Sequence, residues 1–341
     1  MKKVSVLMCS YNTPIDYFKK SVDSVLCQTF TDFELVIVND GSTGKFKNII
    51  YDYAKIDSRI VIVENECNLG IQRSLNRGLE VCKGEYVIRM DSDDICYPNR
   101  FEKQIEFMDN NPNLIVSGAW VDVISGDENE ICDTWKPCMC SRDEYRIRLL
   151  FGNTPLIAHP TAIFRRDYLE KYQLKYSTDE RFRYAEDYKM WVECSNLGEV
   201  GILEIPVIKY RINPNGISST KKGAMRNCSR NIQAEELKKL NIELTDETFK
   251  YHERLIYEVK PYDLRYKKWI KLLVKNNRKY MVYNQDLLEG MLYERWNRIT
   301  KEKIRHEESA LEKLKCILRF FPEGRKDFIK TRLFERKRRK V

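Results

Sequence analysis

Residues 86–94 read Tyr86-Val87-Ile88-Arg89-Met90-Asp91-Ser92-Asp93-Asp94, an apolar run that is followed directly by three carboxylates. A short apolar run with β-branched residues and polar boundaries is typical of a buried strand. Three earlier segments have the same character, at residues 4–8, 34–38 and 60–63. The sequence therefore predicts four buried strands, the fourth of which ends in a cluster of carboxylates.

Amphipathic stretches separate these strands. Residues 15–27, 45–55 and 71–82 carry apolar side chains at three- and four-residue spacing, which is typical of helices that bury one face. Pro14 precedes the first of them and suits a first helical turn. Alternation of strands and helices predicts a mostly parallel α/β sheet with right-handed crossovers.

The rest of the chain changes character twice. By the same criteria, a helix is expected at residues 186–197 and further strands at residues 115–120, 161–164, 201–205 and 207–210. A polar loop is expected at residues 213–222. From there to residue 341 the composition is helical, with heptad-like apolar spacing and many Lys and Arg residues.

The charges divide the chain into two parts. Residues 1–220 carry 27 Lys and Arg against 33 Asp and Glu, a net charge of −6, whereas residues 221–341 carry a net charge of +15. The overall value of +9 would by itself suggest a nucleic-acid partner. The uneven distribution instead predicts an acidic-to-neutral working domain at residues 1–220, with halves at about 1–115 and 116–220 where the sequence pattern changes, and a basic helical region at residues 221–341.

Composition excludes several classes of protein. With 43% hydrophobic and 33% charged residues, the chain can bury a core and is not broadly disordered. No stretch approaches the roughly 18 apolar residues that would indicate a membrane span, and the apolar run at residues 4–9 is too short for a signal peptide. Eleven cysteines without a secretion signal predict a reducing compartment, hence a cytoplasmic protein. The group Cys132, Cys138 and Cys140 lacks a second ligand pair at zinc-finger spacing, so we expect reduced thiols there.

Polar clusters follow three of the predicted strands. In open α/β sheets, ligands bind beyond the carboxyl ends of the strands. Ser10-Tyr11-Asn12 follows the first strand, Asp40 with Gly41 the second, and Asp91-Ser92-Asp93-Asp94 the fourth. Asp40 is suited to accept hydrogen bonds from a nucleobase or ribose, and Gly41 allows close backbone approach. A simple Asp-Gly turn is the alternative for this pair.

The carboxylates after the fourth strand also suggest a metal site. Mg²⁺ and Mn²⁺ prefer oxygen ligands and retain positions for water or phosphate. Asp91 and Asp93 are therefore predicted to hold such an ion against a diphosphate, where it would neutralise charge on the leaving group. Asp94 beside them is a weaker candidate for contact with the acceptor or a phosphate. The alternative is a solvated acidic turn in which Asp94 caps the next helix.

Several motifs together resemble glycosyltransferase family 2. They span residues 4–12, 24–30, 34–43, 68–70, 76–79 and 84–94, in the order and spacing of that family. The resemblance covers about residues 3–220. It implies a GT-A fold, a nucleotide-diphosphate-sugar donor, with UDP the commonest nucleotide, and inversion at the anomeric carbon.

The resemblance also implies roles for individual residues. Glu186 and Asp187 match the family's acidic pair at the start of a helix, so Asp187 is expected to be the general base, with Glu186 the second candidate. The helix N-terminus is expected to favour the carboxylate form. His159 lies in a segment that resembles the acceptor side, although a packed histidine is equally compatible. Arg211 is expected to reach a phosphate or to form a salt bridge. The donor pocket is expected to include Ser10, Tyr11, Asn12 and Ser92. The Tyr11 ring is suited to stack on uracil, and packing in the core is its alternative.

Transfer of one sugar to a hydroxyl of a glycan or lipid-linked acceptor, in surface polysaccharide synthesis, is the predicted activity. A processive synthase is the nearest alternative, but Tyr293-Glu294-Arg295-Trp296 lacks the Gln of the Gln-x-x-Arg-Trp motif. A nucleotidyltransferase would normally need a Gly-rich phosphate loop, which residues 10–14 do not supply. A nucleic-acid-binding protein would leave the acidic strand ends unexplained, so no nucleic-acid partner is expected.

The basic end of the chain suggests a membrane surface as a partner. Apolar residues between Leu311 and Phe321 alternate with Lys and Arg, and residues 336–340 are all basic. Basic amphipathic helices bind anionic membranes through apolar burial and about 1 kcal/mol per well-placed cation. We therefore expect peripheral association with the inner face of the cell membrane, where a lipid-linked acceptor would lie. An ordinary packed helical domain with a solvated basic end is the alternative.

Overall fold

The structure is a computed structural model that describes residues 3–125, 128–152, 157–214, 216–256 and 265–306. The chain divides into two compact units, residues 1–235 and 236–341. The division falls inside a helix, later along the chain than residue 220. The predicted boundary at residue 220 and the further division at about residue 115 stay predictions.

The first half of the first unit is a parallel sheet with a helix after each of its first three strands. Its strands and helices are β1 (Val4–Ser10), α1 (Ile15–Leu26), β2 (Phe33–Asn39), α2 (Gly44–Ile56), β3 (Ile60–Glu64), α3 (Ile71–Val81) and β4 (Tyr86–Asp91). The strands pair in the order β3-β2-β1-β4, and all three pairings are parallel. The α/β fold with a mostly parallel sheet is therefore confirmed, and every element predicted in this half is present within two residues of its expected ends.

The second half of this unit extends the same sheet with mixed pairing. It consists of β5 (Ile95–Cys96), α4 (Arg100–Asn110), β6 (Leu114–Ile124), β7 (Ile131–Trp135), α5 (Arg142–Leu150), β8 (Ile163–Arg165), α6 (Arg166–Lys171), α7 (Glu186–Leu197), β9 (Glu199–Arg211) and the short α8 (Ile217–Thr220). The sheet continues from β4 through β8, β6 and β9 to β5, and β7 pairs with β6. Pairs β4–β8, β6–β8, β6–β7 and β5–β9 are antiparallel, whereas β6–β9 is parallel.

Two predictions about the second half are wrong. The late strands at 201–205 and 207–210 are a single strand, β9, which follows β6 past Pro206 by means of register shifts at Trp120. The expected loop at 213–222 contains α8 and the first residue of the next helix. Elements β5, β7, α4, α5 and α6 were not predicted, because their apolar patterns are short or interrupted.

Strand alternation places a hydrophobic core on each side of the sheet. Successive side chains of a strand point to opposite faces. Leu7 and Val38 accordingly pack on one side with Leu75 of α3, whereas Met8 packs on the other side with Phe18 of α1. All five are at most 1% exposed. Burying a side chain of this size contributes about 1.5–3 kcal/mol relative to leaving it exposed, so both helical layers hold the sheet in place.

The second unit is helical over its described residues, as predicted for the basic region. It contains the end of α9 (Lys222–Lys239), α10 (Asp246–Ile256), α11 (Arg265–Tyr280) and α12 (Gln285–His306). Its core includes Leu240, Trp269 and Leu273. The buried Asn277 side chain donates to the carbonyl of Tyr283 (2.9 Å) and accepts from its N–H (2.9 Å), which fixes the turn between α11 and α12.

Two further sequence predictions concern membranes and cysteines. Across the described ranges, no helix has the length and apolar character that crossing a bilayer requires. The apolar and basic segments at 311–321 and 336–340 lie outside the described residues.

The cysteines in the part of the chain that the structure describes, including Cys132, Cys138 and Cys140, are free thiols. The reducing compartment stays a prediction.

Candidate active site

Strand register brings the predicted polar clusters to one edge of the sheet. Cys9 of β1 lies beside Asp91 of β4, and Ser10 lies beside Asn39 of β2. The segments that follow β1, β2 and β4 therefore leave the sheet side by side. The predicted gathering of Ser10, Asp40 and the Asp91 cluster at one edge is what the structure shows.

The loop after β1 is tied to the other two strand ends by short polar side chains. The Thr13 hydroxyl contacts the Ser10 hydroxyl (2.9 Å) and the Ser92 hydroxyl (2.7 Å), and both serines are buried. Asn12 has a positive φ of 47° and its N–H donates to the Ser42 hydroxyl (3.0 Å). Tyr11 is 51% exposed, so of its two suggested roles packing in the core is wrong, and its ring is accessible for stacking.

Asp40 has an internal structural role. Its carboxylate accepts hydrogen bonds from the Asn65 side chain (2.8 Å), the Leu69 N–H (2.7 Å) and the Gly70 N–H (3.0 Å), and it is 4% exposed. These contacts hold the segment before α3 against the end of β2. Recognition of a nucleobase or ribose by Asp40 stays a prediction, and any such contact would be shared with this internal network.

The three carboxylates after β4 occupy different environments. The side chain of Asp91 is 29% exposed, and Asp93 is partly exposed. Burial, followed by the nearby charge of Asp91, raises the pKa of Asp93 to about 6. Asp94 is fully buried and accepts the Arg211 N–H (2.8 Å), and burial raises its pKa. The next helix begins after Asn99, so Asp94 is not its cap, and its burial disfavours the predicted contact with acceptor or phosphate.

Arg89 is the residue of this site to which sequence analysis assigned no role. It is 5% exposed, and its Nη1 lies 2.5 Å from an Asp91 carboxylate oxygen. Its Nε has no hydrogen-bond partner among the described residues. Its positive charge opposes the rise in the pKa of Asp93. It also opposes the rise in the pKa values of Glu186 and Asp187. The available signal was a single cation inside an otherwise apolar strand.

Arg211 forms an internal ion pair. Its Nη2 lies 2.5 Å from Glu128, its Nε donates to the Asp93 carbonyl (3.0 Å), and its guanidinium lies 4.1 Å from the centre of the Tyr17 ring. The side chain is only 2% exposed. Of the two roles proposed from the sequence, the structure shows the salt bridge, in a buried rather than a surface form. Contact with a phosphate stays a prediction.

The Glu186–Asp187 pair lies at the first turn of α7, as expected. Both side chains are partly buried. Burial, followed by the charge of Asp187, raises the pKa of Glu186 to about 8, and burial also raises the pKa of Asp187. The expected preference of the helix N-terminus for the carboxylate form is present, since the Tyr188 N–H donates to Asp187 (2.7 Å) and lowers its pKa, but burial outweighs this effect. Burial and the neighbouring charge therefore disfavour ionisation of both carboxylates at once.

His159 is packed beside this pair. It is 8% exposed, and its Nε2 lies 2.8 Å from the Tyr176 hydroxyl. Its ring meets Trp191 of α7 edge to face, with 5.9 Å between ring centres. Burial and the charge of Arg89 lower the pKa of His159 well below its usual range, so the ring is neutral. Of the two roles proposed, the structure shows the packed histidine, and acceptor binding stays a prediction.

The donor set at Asp91 and Asp93 fits a divalent cation that is shared with a phosphate ligand. Within the described ranges, no group of three or more His, Cys, Asp or Glu side chains is arranged to hold a metal alone. Mg²⁺ is often held by one or two carboxylates with substrate phosphates and water as its other ligands. Burial, and after it the charge of Asp91, raises the pKa of Asp93, and a bound cation would favour the ionised form of both carboxylates.

Comparison with known proteins identifies the family. The sequence model described as "Glycosyl transferase family 2" matches residues 5–173. An uncharacterized glycosyltransferase from Haemophilus influenzae is 32% identical over 246 residues, which cover 70% of this chain and 73% of that protein. The chain belongs to glycosyltransferase family 2. It is therefore a glycosyltransferase, as the sequence resemblance implied.

Two other similar proteins extend this assignment. The amylovoran biosynthesis glycosyltransferase AmsE of Erwinia amylovora is 30% identical over 236 residues, which cover 69% of this chain and 85% of that protein. The crystal structure of S. aureus TarS residues 1–349 with UDP-GlcNAc superposes with a TM-score of 0.55 at 17% identity, over 89% of this chain and 90% of that one. The structural likeness confirms the predicted GT-A fold.

Proposed function

We propose that this family 2 glycosyltransferase moves one sugar from a nucleotide-diphosphate sugar to a hydroxyl of a glycan or lipid-linked acceptor in surface polysaccharide synthesis, with inversion. The observation that carries the proposal is the position of Arg89. Its charge acts on Asp91 and Asp93 and also on Glu186 and Asp187. This supports one site in which Asp91 and Asp93 serve the diphosphate and Glu186 or Asp187 deprotonates the acceptor hydroxyl.

A uridine diphosphate sugar is the proposed donor. The similar fold of TarS was solved with UDP-GlcNAc, and the exposed Tyr11 ring lies at the sheet edge where a uracil would stack. Ser10, Asn12, Asp40 and Ser92 lie at the same edge. Mn²⁺ or Mg²⁺ held by Asp91 and Asp93 would neutralise charge on the departing diphosphate. AmsE, a relative that acts in amylovoran biosynthesis, supports a polysaccharide product.

Asp187 is the proposed general base. The acceptor oxygen attacks the anomeric carbon of the sugar from the face opposite the diphosphate, and the hydroxyl proton passes to the Asp187 carboxylate. A bond from carbon to acceptor oxygen forms as the bond to diphosphate oxygen breaks, and the nucleoside diphosphate leaves with that electron pair. A base with a raised pKa is suited to this transfer near neutral pH, because its proton affinity approaches the working range.

Peripheral attachment to the inner face of the cell membrane is part of the proposal. It rests on the basic composition of residues 221–341 and on the apolar and basic segment at 311–341. An acceptor anchored in the membrane would be reached by an enzyme held at the surface. This part does not depend on the assignment of the catalytic base.

Two substitutions test the proposed catalytic roles. Asp93→Asn is expected to abolish transfer and to weaken Mn²⁺-dependent binding of UDP-sugars at least tenfold, because one metal ligand is lost. Asp187→Asn is expected to lower kcat at least 1000-fold and leave donor binding within about twofold, since a base acts on the acceptor. Calorimetric titration with UDP-sugars and measurement of UDP release separate these effects.

Asp133→Asn is the matched control for both substitutions. Asp133 is an exposed carboxylate of β7 outside the site, so its variant should retain wild-type binding and turnover. Full activity of Asp187→Asn would refute the base assignment. Donor binding by Asp93→Asn that equals the wild type in Mn²⁺ would refute the metal site.

A further inference from the structure

The second unit contains a cavity that the proposed sugar transfer does not use. It has a volume of about 540 Å³ and opens between α11 and α12. Pockets of about 300–1,000 Å³ are typical of sites for small ligands. Residues 267, 270, 271, 274, 275 and 278 line it at three- and four-residue spacing along one face of α11. The cavity is therefore built on the face of one regular helix.

Several positive charges surround this cavity. Helix α11 carries seven Lys and Arg residues and no Asp or Glu. Arg278 is paired with Glu289 (2.6 Å). By contrast, Lys271, Lys275 and Lys279 form no ion pair with any residue that the structure describes. Burial and the charge of Lys271 lower the pKa of Lys267, as expected where like charges lie close together. An anionic group would be attracted to this rim.

The interior of the cavity is apolar. Ile270 and Val274 of α11 and Trp296 of α12 contribute side chains that are at most 9% exposed, and Tyr293 lies one helical turn before Trp296. A hydrocarbon chain that leaves water for an apolar lining of this kind gains free energy. A ligand that satisfies both parts of the cavity must carry an anionic head and an apolar chain.

We propose that the cavity between α11 and α12 binds one anionic phospholipid of a membrane surface. The phosphate lies at Lys271 and Lys275, and an acyl chain lies against Ile270, Val274 and Trp296. Anionic lipids attract basic segments with about 1 kcal/mol per cation near the surface. Met281, which is 83% exposed directly after α11, places a further apolar side chain at this end of the unit.

The same residues fit nucleic acid less well. Proteins that bind single-stranded nucleic acid combine cations with aromatic faces on which bases stack. Tyr293 is the one partly exposed aromatic ring among the lining residues that the structure describes, and Ile270 and Val274 would gain nothing from a phosphate backbone. The chemistry of the lining therefore favours a lipid over RNA.

Flotation of the full chain with vesicles tests this site directly. The wild type is expected to float with phosphatidylcholine vesicles that contain phosphatidylglycerol, and not with phosphatidylcholine alone. Lys271→Glu should weaken binding about tenfold or more, because it reverses a charge at the rim. Lys268→Glu is the matched control, since it makes the same change on an exposed position of α11 outside the lining and should weaken binding less than about threefold.

A competition experiment separates the apolar contribution from charge. Soluble short-chain phosphatidylglycerol should displace the protein from vesicles at concentrations at which glycerol phosphate does not. The proposal would be overturned if Lys271→Glu and Lys268→Glu lost vesicle binding equally, or if glycerol phosphate competed as well as short-chain phosphatidylglycerol. Either result would show that the vesicle attracts the positive charge of the protein without a specific site.

Other occupants of the cavity would also be recognised. Binding of an RNA oligonucleotide that depends on Lys271, without vesicle binding, would overturn the proposal. So would vesicle binding that appears only after removal of residues 307–341, or self-association that is lost in Lys271→Glu. No sugar transfer is measured in these assays, so failure of the proposed catalytic function leaves their result intact.

Discussion

Arg89 links two groups of carboxylates that are far apart in sequence. Its Nη1 lies 2.5 Å from Asp91, two residues along the same strand, and its charge also acts on Glu186 and Asp187 at the start of α7. A buried cation is costly unless anions surround it. The carboxylates therefore stabilise Arg89 in its buried position, and Arg89 in turn keeps several nearby acids more acidic than burial alone would.

Replacement of Arg89 is expected to shift the pH dependence of transfer. Arg89→Met removes a positive charge that lowers the pKa of Asp187, so the acidic limb of the kcat profile should move to higher pH, and kcat should fall about 100-fold or more. Arg89→Lys retains the charge and should keep the limb near its wild-type position. A profile that is unchanged in Arg89→Met, with only thermal stability lowered, would mean that Arg89 is a packing residue.

Glu186 gives a second prediction, about stability against pH. The pKa of Glu186 in the folded chain, about 8, lies above the usual glutamate value of 4.5, so the folded chain binds more protons than the unfolded chain between these pH values. Stability then falls as pH rises from about 4.5 to 8. Glu186→Gln removes this dependence. The stability of this variant relative to the wild type should therefore be higher at pH 9 than at pH 6.

Urea unfolding of both proteins at the two pH values measures this difference. Glu199→Gln, an exposed acid outside the site, is the control and should follow the wild type at both values. If Glu186→Gln and Glu199→Gln behave alike, Glu186 titrates as an ordinary exposed acid.

At the scale of elements, the turn after β2 and the segment before α3 form one unit of structure. Asp40 bonds this segment through Asn65, Leu69 and Gly70. Gly41 has a φ of 75°, and a Cβ on it would lie 2.4 Å from the carbonyl carbon of Cys67. Close packing of two backbones at a strand end is thus possible because the side chain is absent.

Two glycines of this turn should respond differently to substitution. Gly41→Ala is expected to lower the free energy of unfolding by about 3 kcal/mol, because a left-handed backbone and a steric clash add together. It should also weaken donor binding. Gly44 has a φ of 62°, but nothing lies within 4 Å of a Cβ added to it. Gly44→Ala is therefore expected to lower the free energy of unfolding by only about 1 kcal/mol. Similar losses in both variants, measured by urea unfolding, would contradict the close approach at Cys67.

At the scale of the molecule, the two compact units have separate cores. Leu35 lies in the sheet of the first unit and Leu273 lies among the helices of the second, and both are fully buried. The candidate active site consists of residues of the first unit, whereas the proposed lipid site consists of residues of the second. Destabilising one core should therefore affect one of the two binding activities more than the other.

Leu273→Ala and Leu35→Ala form a matched pair for this prediction. Each should cost about 2–5 kcal/mol in its own unit. Leu273→Ala is expected to raise hydrogen exchange in residues 236–306 and to leave UDP-sugar binding within about twofold. Leu35→Ala should raise exchange in the sheet and weaken donor binding. Loss of donor binding in both variants would show that the units do not unfold independently.

Local patterns determined the first half of the fold and the position of the strand-end clusters. Short continuous apolar runs with polar boundaries, and helical spacing of apolar residues, are properties of neighbouring residues, so β1 to β4 and α1 to α3 were predictable within two residues. The motifs also determined the family. The helix that carries Glu186 and Asp187 was predicted for the same reason.

Only the tertiary structure decided what each site residue contacts. Asp40 bonds a segment 25–30 residues away, Asp94 and Arg211 meet across 117 residues, and Arg89 acts on acids near residue 187. The pKa values of Glu186 and Asp187 depend on burial by distant elements, which overrides the effect of their own helix. Contacts of this range arise from packing between elements, and no local pattern of residues specifies them.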